Sequence, residues 1–253
     1  MSSGYIEFEF DLPGALLERL VSTFGGMDAA CLDLGEIQSI PEAQGVYQLF
    51  FREELVYIGK TDAESGLQKR LIRHYWNVQH RIGLKPTEVT FKAVRVYVFT
   101  AVDLESQLIR HYRHHGVVAW QESGFGANDP GRNRDHTRYK LEHFDLKYQI
   151  DIDRPLAIGF PPGTCVSLAL SLLRKELPYT FRVESGPTKK QPHPELSAAL
   201  IPLEIPEPTS ARKMLEAAVA CLPPGWQATR LPGRLLLYTE YAPYPEGEVV
   251  ARS

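Results

Sequence analysis

Six polar side chains between residues 47 and 105 are of the types that phosphodiester hydrolysis requires. They are two phenols, two cations, one imidazole and one carboxylate: Tyr47, Tyr57, Lys60, Arg70, His74 and Glu105. Such hydrolysis needs an attacking water, a base that deprotonates it, and charge stabilisation at the phosphorus and at the leaving oxygen. Arg70 offers a planar fork that matches phosphate oxygens, and Glu105 can hold one hard divalent cation. Because the set contains a single carboxylate, it favours a scheme with one metal ion.

A predicted β-hairpin carries both tyrosines. Apolar and aromatic runs over 44–51 and 55–59 flank a charged turn at 52–54. If this loop has an odd number of residues centred on position 52, Tyr47 and Tyr57 are cross-strand partners, because paired residues point to the same side. We therefore expect the two rings to share one face of a sheet.

A predicted helix carries the arginine and the imidazole. It runs from residue 65 to about residue 78, with Leu67 and Leu71 on its buried side. Arg70 and His74 are four residues apart, so they lie together on another side of the same helix. This spacing predicts that the two side chains act at one site.

The carboxylate is expected near the start of a second helix. Residues 88–99 are rich in β-branched and aromatic types and predict a strand. Residues 102–113 then predict a helix with Asp103 and Glu105 in its first turn, where the helix dipole favours acids. Residues 123–135, with three glycines and a proline, predict a loop.

The chain is predicted to be an α+β protein with two modules. We divide it into an N-terminal cap at 1–42, a first module at 43–145, a second module at 153–241 and a tail at 242–253. The first module is expected to be a small β-sheet with flanking helices. In the cap, residues 5–10 alternate like a short strand, and residues 15–24 have helical spacing that ends at two glycines.

The second module contains an internal repeat at an offset of 45 residues. Aromatic, aliphatic and threonine positions match in the pairs Phe160 and Ile205, Thr164 and Thr209, Leu177 and Leu222, and Phe181 and Trp226. Each copy predicts a strand, a proline-rich turn, a helix and a second strand. Two such βαβ units are expected to build one α+β sheet domain.

Composition excludes several classes of protein. The chain has 253 residues, of which 43% are apolar and 23% are charged, so it is not typical of disordered, collagen-like or coiled-coil proteins. Its longest nearly apolar run, 165–173, has nine residues, about half of the ~18 that a membrane span needs. We expect no membrane partner and no cleaved signal. The three cysteines are scattered, which favours a reducing cytoplasm.

The net charge of −3 conceals an uneven distribution. Residues 1–44 carry −7, whereas residues 60–114, which hold most of the candidate site, carry +5. The histidines in this second window would add positive charge below neutral pH. A basic region of this kind is typical of a polyanion site, although a solvated surface has a similar pattern.

The order of these motifs resembles the GIY-YIG nuclease superfamily. The chain has GVY at 45–47 and YIG at 57–59, followed by the lysine, arginine, histidine and glutamate positions in the same order. The loop GFGANDPGRNRD is similar to one in the type II restriction-endonuclease branch of that superfamily. The resemblance covers residues 43–140. It implies a metal-dependent DNA endonuclease, with one Mg²⁺ or Mn²⁺ ion in each active site.

The resemblance also implies a role for each residue of the site. Tyr47 would be the base acting on water, and Tyr57 would help to position water and phosphate. Lys60 would lie beside the phosphate, and Arg70 would stabilise charge in the transition state. His74 would be an auxiliary polar residue, and Glu105 would be the metal ligand.

The chain departs from the family after Glu105, where the connection is a few residues longer with HHGVV inserted at 114–118, and at one residue type. The family has an asparagine after tryptophan, whereas this chain has Gln121 after Trp120. A glutamine keeps the amide but moves it by one methylene. We expect Gln121 to take the catalytic role of the family's asparagine, and Asn128 is the alternative residue for that role. The residues expected to contact DNA phosphates are Arg73, Asn128, Arg132, Arg134 and Arg138.

Other interpretations of the same residues stay open. The two tyrosines are also typical of a cross-strand pair that packs a sheet, and Arg70 with His74 is also typical of a solvated helix face. A non-catalytic DNA-binding or adaptor protein and a structure-specific repair or mobile-element nuclease are the alternatives to a restriction enzyme. The expected partners are DNA, a second copy in a homodimer, and a protein bound through residues 153–241. His111, His114 and His115 do not predict a zinc site, because no nearby cysteine completes a tetrahedral set.

Overall fold

The computed structural model describes residues 4–253 except 63, 98–102, 128 and 189–190. It has two compact units, each with helices and strands, which confirms the α+β class. The first unit comprises Met1–Tyr75 and Pro86–Gln121, and the second comprises Trp76–Lys85 and Glu122–Ser253. Residues 122–145, predicted as part of the first module, therefore belong to the second unit. Within the described ranges, no helix is both long and apolar enough to cross a membrane.

The first unit is built on a four-stranded antiparallel sheet. Its strands are β1 (Ala30–Cys31), β2 (Gly45–Phe51), β3 (Glu54–Thr61) and β4 (Val89–Arg95), in the order β1-β4-β2-β3. Strand β2, which carries the GVY motif, lies between β3 and β4. The β-branched and aromatic residues of these segments favour the half-buried, pleated environment of a sheet.

The register of the β2–β3 hairpin differs from the predicted one. Its turn has two residues, Arg52 and Glu53, with φ values of 51° and 71°, and the ladder shifts between residues 49 and 50. Two left-handed residues make the tight turn that suits the twist of a hairpin. Tyr47 consequently pairs with Gly59, and Tyr57 pairs with Leu49. The direct pairing of the tyrosines was wrong, but they do share one face of the sheet.

Helices cover both faces of this sheet. On one face, Val46 and Ile58 pack with residues of α1 (Leu12–Gly25) and α4 (Leu104–Arg113). On the other face, α3 (Leu67–Gln79) packs closely, because a Cβ at Gly45 would lie 2.7 Å from the Cδ1 atom of Leu67. The short α2 (Leu34–Gln38) precedes β2.

The observed helix boundaries follow the sequence pattern closely. Helix α1 begins after Asp11, whose carboxylate accepts a hydrogen bond from the Gly14 backbone, three residues before the predicted start. It ends at Gly25 with Gly26 as its C-cap, at the predicted pair of glycines. Asp103 caps α4 through the backbone N–H of Ser106. Residues 5–10, predicted as a strand, are in no helix or strand, and they find no sheet edge to pair with. The last predicted residues of β4, 98 and 99, lie outside the described residues.

The second unit contains a four-stranded sheet with the order β12-β10-β11-β7. These strands are β7 (Thr180–Val183), β10 (Gln227–Leu231), β11 (Arg234–Tyr238) and β12 (Glu248–Arg252). The other strands form short two-residue ladders: β5 (Pro155–Leu156), β6 (Thr164–Cys165), β8 (Leu200–Ile201) and β9 (Thr209–Ser210). The helices are α5 (Phe144–Lys147), α6 (Val166–Glu176), α7 (Pro194–Ala198) and α8 (Ala211–Val219). Residues 242–253, predicted as a tail, supply β12.

The 45-residue repeat is visible as a two-fold pattern of strand pairing within the second unit. Phe160 pairs with Ile205, its own counterpart. Leu156 pairs with Thr209 and Thr164 pairs with Ile201, so each ladder is the repeat-related copy of the other. Of the strands predicted in the two copies, those after the helices, β7 and β10, join the four-stranded sheet. The segments before the helices stay outside it, because their prolines cannot donate to a longer ladder.

Candidate active site

Three aromatic rings from β2, β3 and α3 meet on one face of the first unit's sheet. Tyr47 Oη lies 2.7 Å from His74 Nε2, and both residues are buried. The ring centroids are 6.1 Å apart for Tyr47 and Tyr57, 5.5 Å for Tyr47 and His74, and 5.6 Å for Tyr57 and His74. The hairpin and the helix thus bring together three of the six residues that the sequence singles out.

Close packing explains why each tyrosine motif contains a glycine. A Cβ atom at Gly59 would lie 2.4 Å from Tyr47 Oη, which is far inside van der Waals contact. At Gly45, a Cβ atom would lie 2.3 Å from the carbonyl oxygen of Val94. Gly59 therefore makes room for the Tyr47 phenol, and Gly45 lets β2 approach β4. Both glycines are requirements of this site's geometry.

Burial keeps the Tyr47–His74 pair uncharged. It raises the pKa of the Tyr47 phenol well above its usual range, and the neighbouring Tyr57 adds to that rise. Burial, assisted by Arg70 and Arg73, lowers the pKa of His74 to about 3. At neutral pH Tyr47 keeps its proton and the imidazole is neutral. Burial also lowers the pKa of His80, so both histidines gain positive charge only at a lower pH than the sequence pattern implies.

Arg70 places a cation against the two phenols. Its side chain is half-buried, and its Nε atom is fully buried with no hydrogen-bond partner among the described residues. Burial acts to lower the pKa of the guanidinium, but a hydrogen bond with Tyr47 and electrostatic interactions with Tyr47, Tyr57 and Glu105 raise it overall. An N–H group left unsatisfied in this position costs free energy that an anionic ligand would recover.

The carboxylate and the lysine meet at the N-terminus of α4. Lys60 Nζ lies 2.9 Å from Asp103 Oδ1 and 3.8 Å from Glu105 Oε2. Burial raises the pKa of Glu105 despite the nearby cations. Hydrogen bonds from the Ser106 hydroxyl and from Lys60 lower the pKa of Asp103 to about 2. Asp103 therefore neutralises the charge of Lys60. The sequence pattern had indicated Asp103 only as an acid in the first turn of a helix.

The donor set at Glu105 fits a hydrated cation held by one carboxylate. Within the described ranges, no group of three or more histidine, cysteine or acidic side chains could enclose a metal ion. Glu105 offers a partly buried carboxylate, with a quarter of its side chain exposed. A single hard ligand of this kind suits Mg²⁺, which keeps several of its waters. Asp103 is already paired with Lys60, so the residues present do not form a second carboxylate ligand.

Gln121 contacts the strand that carries Tyr57. Its Oε1 atom accepts a hydrogen bond of 3.0 Å from the backbone N–H of Ile58. The backbone N–H of Trp120 donates to the Val56 carbonyl at 2.8 Å, and the Trp120 ring packs 5.7 Å from that of Phe51. These two residues follow the outer edge of β3. The structure thus places Gln121 as a support of the YIG strand, and its catalytic role stays a prediction.

The predicted phosphate contacts have different environments. Arg73 is exposed on α3. In the second unit, Arg132 is paired with Glu184 at 3.0 Å and lies 4.0 Å above the Tyr238 ring. Arg134 and Arg138 are exposed, and Asn128 lies outside the described residues. Arg132 therefore helps to anchor the loop within the second unit.

Asp135 is a second anchor of the same loop, which the sequence analysis missed. Its carboxylate is almost fully buried and accepts hydrogen bonds from Arg182, Arg234 and Tyr238, the last two at 3.1 Å. In the sequence, an aspartate surrounded by arginines in a loop is typical of a cluster of exposed charges. Its partners are 47 or more residues away in the chain, so local spacing carries no signal of this contact.

No family model matches this chain, and no curated protein is similar enough to it to match.

Proposed function

We propose that this protein is a metal-dependent DNA endonuclease that hydrolyses phosphodiester bonds. The proposal is carried by one observation: the buried, unsatisfied Nε of Arg70 lies in a cluster with Tyr47, Tyr57 and Glu105. A phosphate oxygen would satisfy this donor, and the phenols and the carboxylate supply the remaining groups that hydrolysis needs. The +5 charge of residues 60–114 supports a polyanionic substrate.

In this proposal, Tyr47 passes a proton from the attacking water to His74. Because the raised pKa keeps the phenol protonated, Tyr47 can accept a proton only as it gives up its own. His74 Nε2 is 2.7 Å away and neutral, so it is placed to receive that proton. Arg70 would bind a non-bridging phosphate oxygen, and Tyr57 would fix the position of the water.

Glu105 would hold one Mg²⁺ or Mn²⁺ ion. When bound, the ion supplies positive charge that stabilises the leaving oxygen and the pentavalent phosphorus. Lys60 would contribute a further cation once the phosphate competes with Asp103 for its ammonium group. The raised pKa of Glu105 means that protons compete with the metal ion, so metal affinity should increase as the pH rises.

A restriction or defence role in the cytoplasm is the form of this activity that we favour. A homodimer would cut both strands of a palindromic site, and residues 153–241 would bind a protein partner or support dimerisation. The alternative is a non-catalytic DNA-binding or adaptor protein. The contact between Gln121 and Ile58 favours that alternative, because the amide already has a structural task.

Nicking of supercoiled plasmid in the presence of Mg²⁺ tests the proposal. We expect the wild type to nick the plasmid and Glu105→Ala to leave it intact. Glu36→Ala is the matched control, since Glu36 is also a first-turn acid, on α2. If wild type and Glu105→Ala leave plasmids from several sources equally intact, the nuclease proposal is wrong. Preferential cutting of flapped or branched DNA would indicate a structure-specific nuclease instead.

A further inference from the structure

An exposed arginine–tyrosine stack lies at the end of β4, outside the residues assigned to the candidate active site. The Arg95 guanidinium carbon is 4.3 Å from the centroid of the Tyr97 ring. Tyr97 is 77% exposed, so most of its ring surface is open. A surface cavity of about 300 Å³ adjoins the stack, with Glu42 and Gln44 among its lining residues. We call Arg95, Tyr97 and Gln44 the Tyr97 platform.

Strand pairing places this platform next to Tyr47. In the β2–β4 ladder Tyr47 pairs with Ala93 and Gly45 pairs with Arg95. Paired residues share a face, so Arg95 projects on the same face of the sheet as Tyr47. Diagonal neighbours of this kind are about 7–8 Å apart, which corresponds to about two nucleotide steps at ~3.4 Å per nucleotide along one DNA strand. The Arg95 end of the platform therefore lies about two nucleotide steps from Tyr47.

We propose that the Tyr97 platform binds a nucleobase of the DNA strand that occupies the candidate active site, about two nucleotides from Tyr47. This inference rests on the proposed endonuclease function and assigns a specific contact to it. An open tyrosine ring is a stacking surface for any base, because every base has a π face. The Gln44 amide offers one donor group and one acceptor to the edge of that base.

Charge and size are consistent with a base as the occupant. The Arg95 guanidinium makes the platform attractive to a polyanion. Glu42, the acid in the cavity wall, is paired with Lys69 at 2.9 Å, which offsets its repulsion of DNA. A volume of about 300 Å³ is at the lower limit for small-molecule sites, so it suits one ring system rather than a whole dinucleotide.

The test uses the full chain and oligonucleotides that carry 2-aminopurine at successive positions, as single strands and as duplexes, with EDTA to prevent cutting. On binding, we expect fluorescence quenching at one position, where the base stacks on Tyr97. Tyr97→Ala should abolish that quenching and weaken binding about tenfold, as the loss of one base–aromatic stack predicts. Tyr97→Phe, which keeps the ring, should behave like the wild type.

Tyr241→Ala is the matched control, because Tyr241 is also exposed and also lies under an arginine, Arg252, in the second unit. Equal quenching and equal affinity in wild type and Tyr97→Ala would overturn the platform while leaving the nuclease proposal intact. Loss of the quenching in Tyr97→Ala with no plasmid nicking by the wild type would support the platform and contradict the nuclease. Absence of oligonucleotide binding by the wild type would overturn both.

Discussion

Tyr47 Oη and His74 Nε2 lie 2.7 Å apart in a buried contact between the central strand β2 and helix α3. The two groups are 27 residues apart in sequence, and each lacks charge at neutral pH because burial disfavours its charged form. This hydrogen bond joins the hairpin to the helix at the point where the candidate catalytic groups meet. It therefore contributes both to the fold and to the proposed chemistry.

Removing the Tyr47 hydroxyl should affect activity more than stability. Tyr47→Phe keeps the ring against Gly59 but leaves a buried imidazole nitrogen without its partner, at a cost of about 1–3 kcal/mol in the free energy of unfolding. If Tyr47 relays the proton of the attacking water, plasmid nicking should fall about 10²-fold or more. Urea unfolding and a nicking time course measure the two effects. Nicking at the wild-type rate would contradict the relay.

The low pKa of His74 predicts a pH-dependent stability. Between pH 6.5 and about pH 3 the unfolded chain binds a proton at this position that the folded chain does not. The contribution of neutral His74 is therefore complete above pH 6.5 and is lost as the pH falls, by at most ~1.4 kcal/mol per pH unit. His74→Gln should flatten the dependence of unfolding free energy on pH between 4 and 6.5.

His80→Gln is the comparison variant for this experiment, because burial lowers the pKa of His80 as well. The two variants should each remove part of the slope, and the double variant should remove more than either one. An unchanged slope in His74→Gln would show that the imidazole titrates normally in the folded protein.

The close packing of Tyr47 against Gly59 predicts that adding a methyl group at position 59 lowers the stability of the fold. In Gly59→Ala the new Cβ would lie 2.4 Å from Tyr47 Oη, so the ring or β3 must move. Overpacking of this kind costs about 1–3 kcal/mol. Gly116→Ala is the control, because a Cβ there meets no atom within 4 Å. Thermal unfolding compares the two variants, and equal midpoints would contradict the close packing.

Gln121 is expected to protect one backbone amide of β3. Gln121→Leu removes the acceptor of the Ile58 N–H, whereas Gln121→Glu keeps an acceptor at the same reach. We expect faster hydrogen exchange at the Ile58 amide in the leucine variant, with a loss of about 1–3 kcal/mol in local stability. Exchange measured by NMR at that amide should be near the wild-type rate in Gln121→Glu. Equal exchange in both variants would show that the amide does not depend on this side chain.

The buried carboxylate of Asp135 should be the most sensitive acid of the second unit. Asp135→Asn leaves Arg234 with a neutral partner inside the protein and leaves Arg182 with Asp129 as its remaining carboxylate, which should cost about 3–5 kcal/mol. Asp153→Asn is the control, because its pair with Arg212 is exposed and such pairs contribute only about 0–1 kcal/mol. Urea unfolding measures both variants. A small effect of Asp135→Asn would contradict the anchoring role.

The elements of the site were predictable because they follow local rules. The four-residue spacing of Arg70 and His74 placed them together on a helix, and α3 confirms this. The α+β class and the order β2, β3, α3, β4, α4 also follow from hydrophobic periodicity, whereas the short β1 and α2 were not predicted. The function inferred from these residues stays a prediction.

The register of the hairpin and the anchoring of the loop were not predictable from local patterns. Arg52 and Glu53 adopt positive φ although neither is glycine or asparagine, so the sequence carries no cue for a two-residue turn. Asp135 depends on partners from distant strands. In both cases the deciding interaction is either conformationally unusual or far away in the chain.

The segment at Trp120 and Gln121 also covers the exposed edge of β3, which bears on aggregation. β3 is the last strand of its sheet, and an open strand edge is a template on which another chain can add by backbone pairing. The Val56 carbonyl and the Ile58 N–H on that edge already have partners in this segment. Substitutions that loosen it should therefore favour aggregation through β3, before they reduce the stability of the fold as a whole.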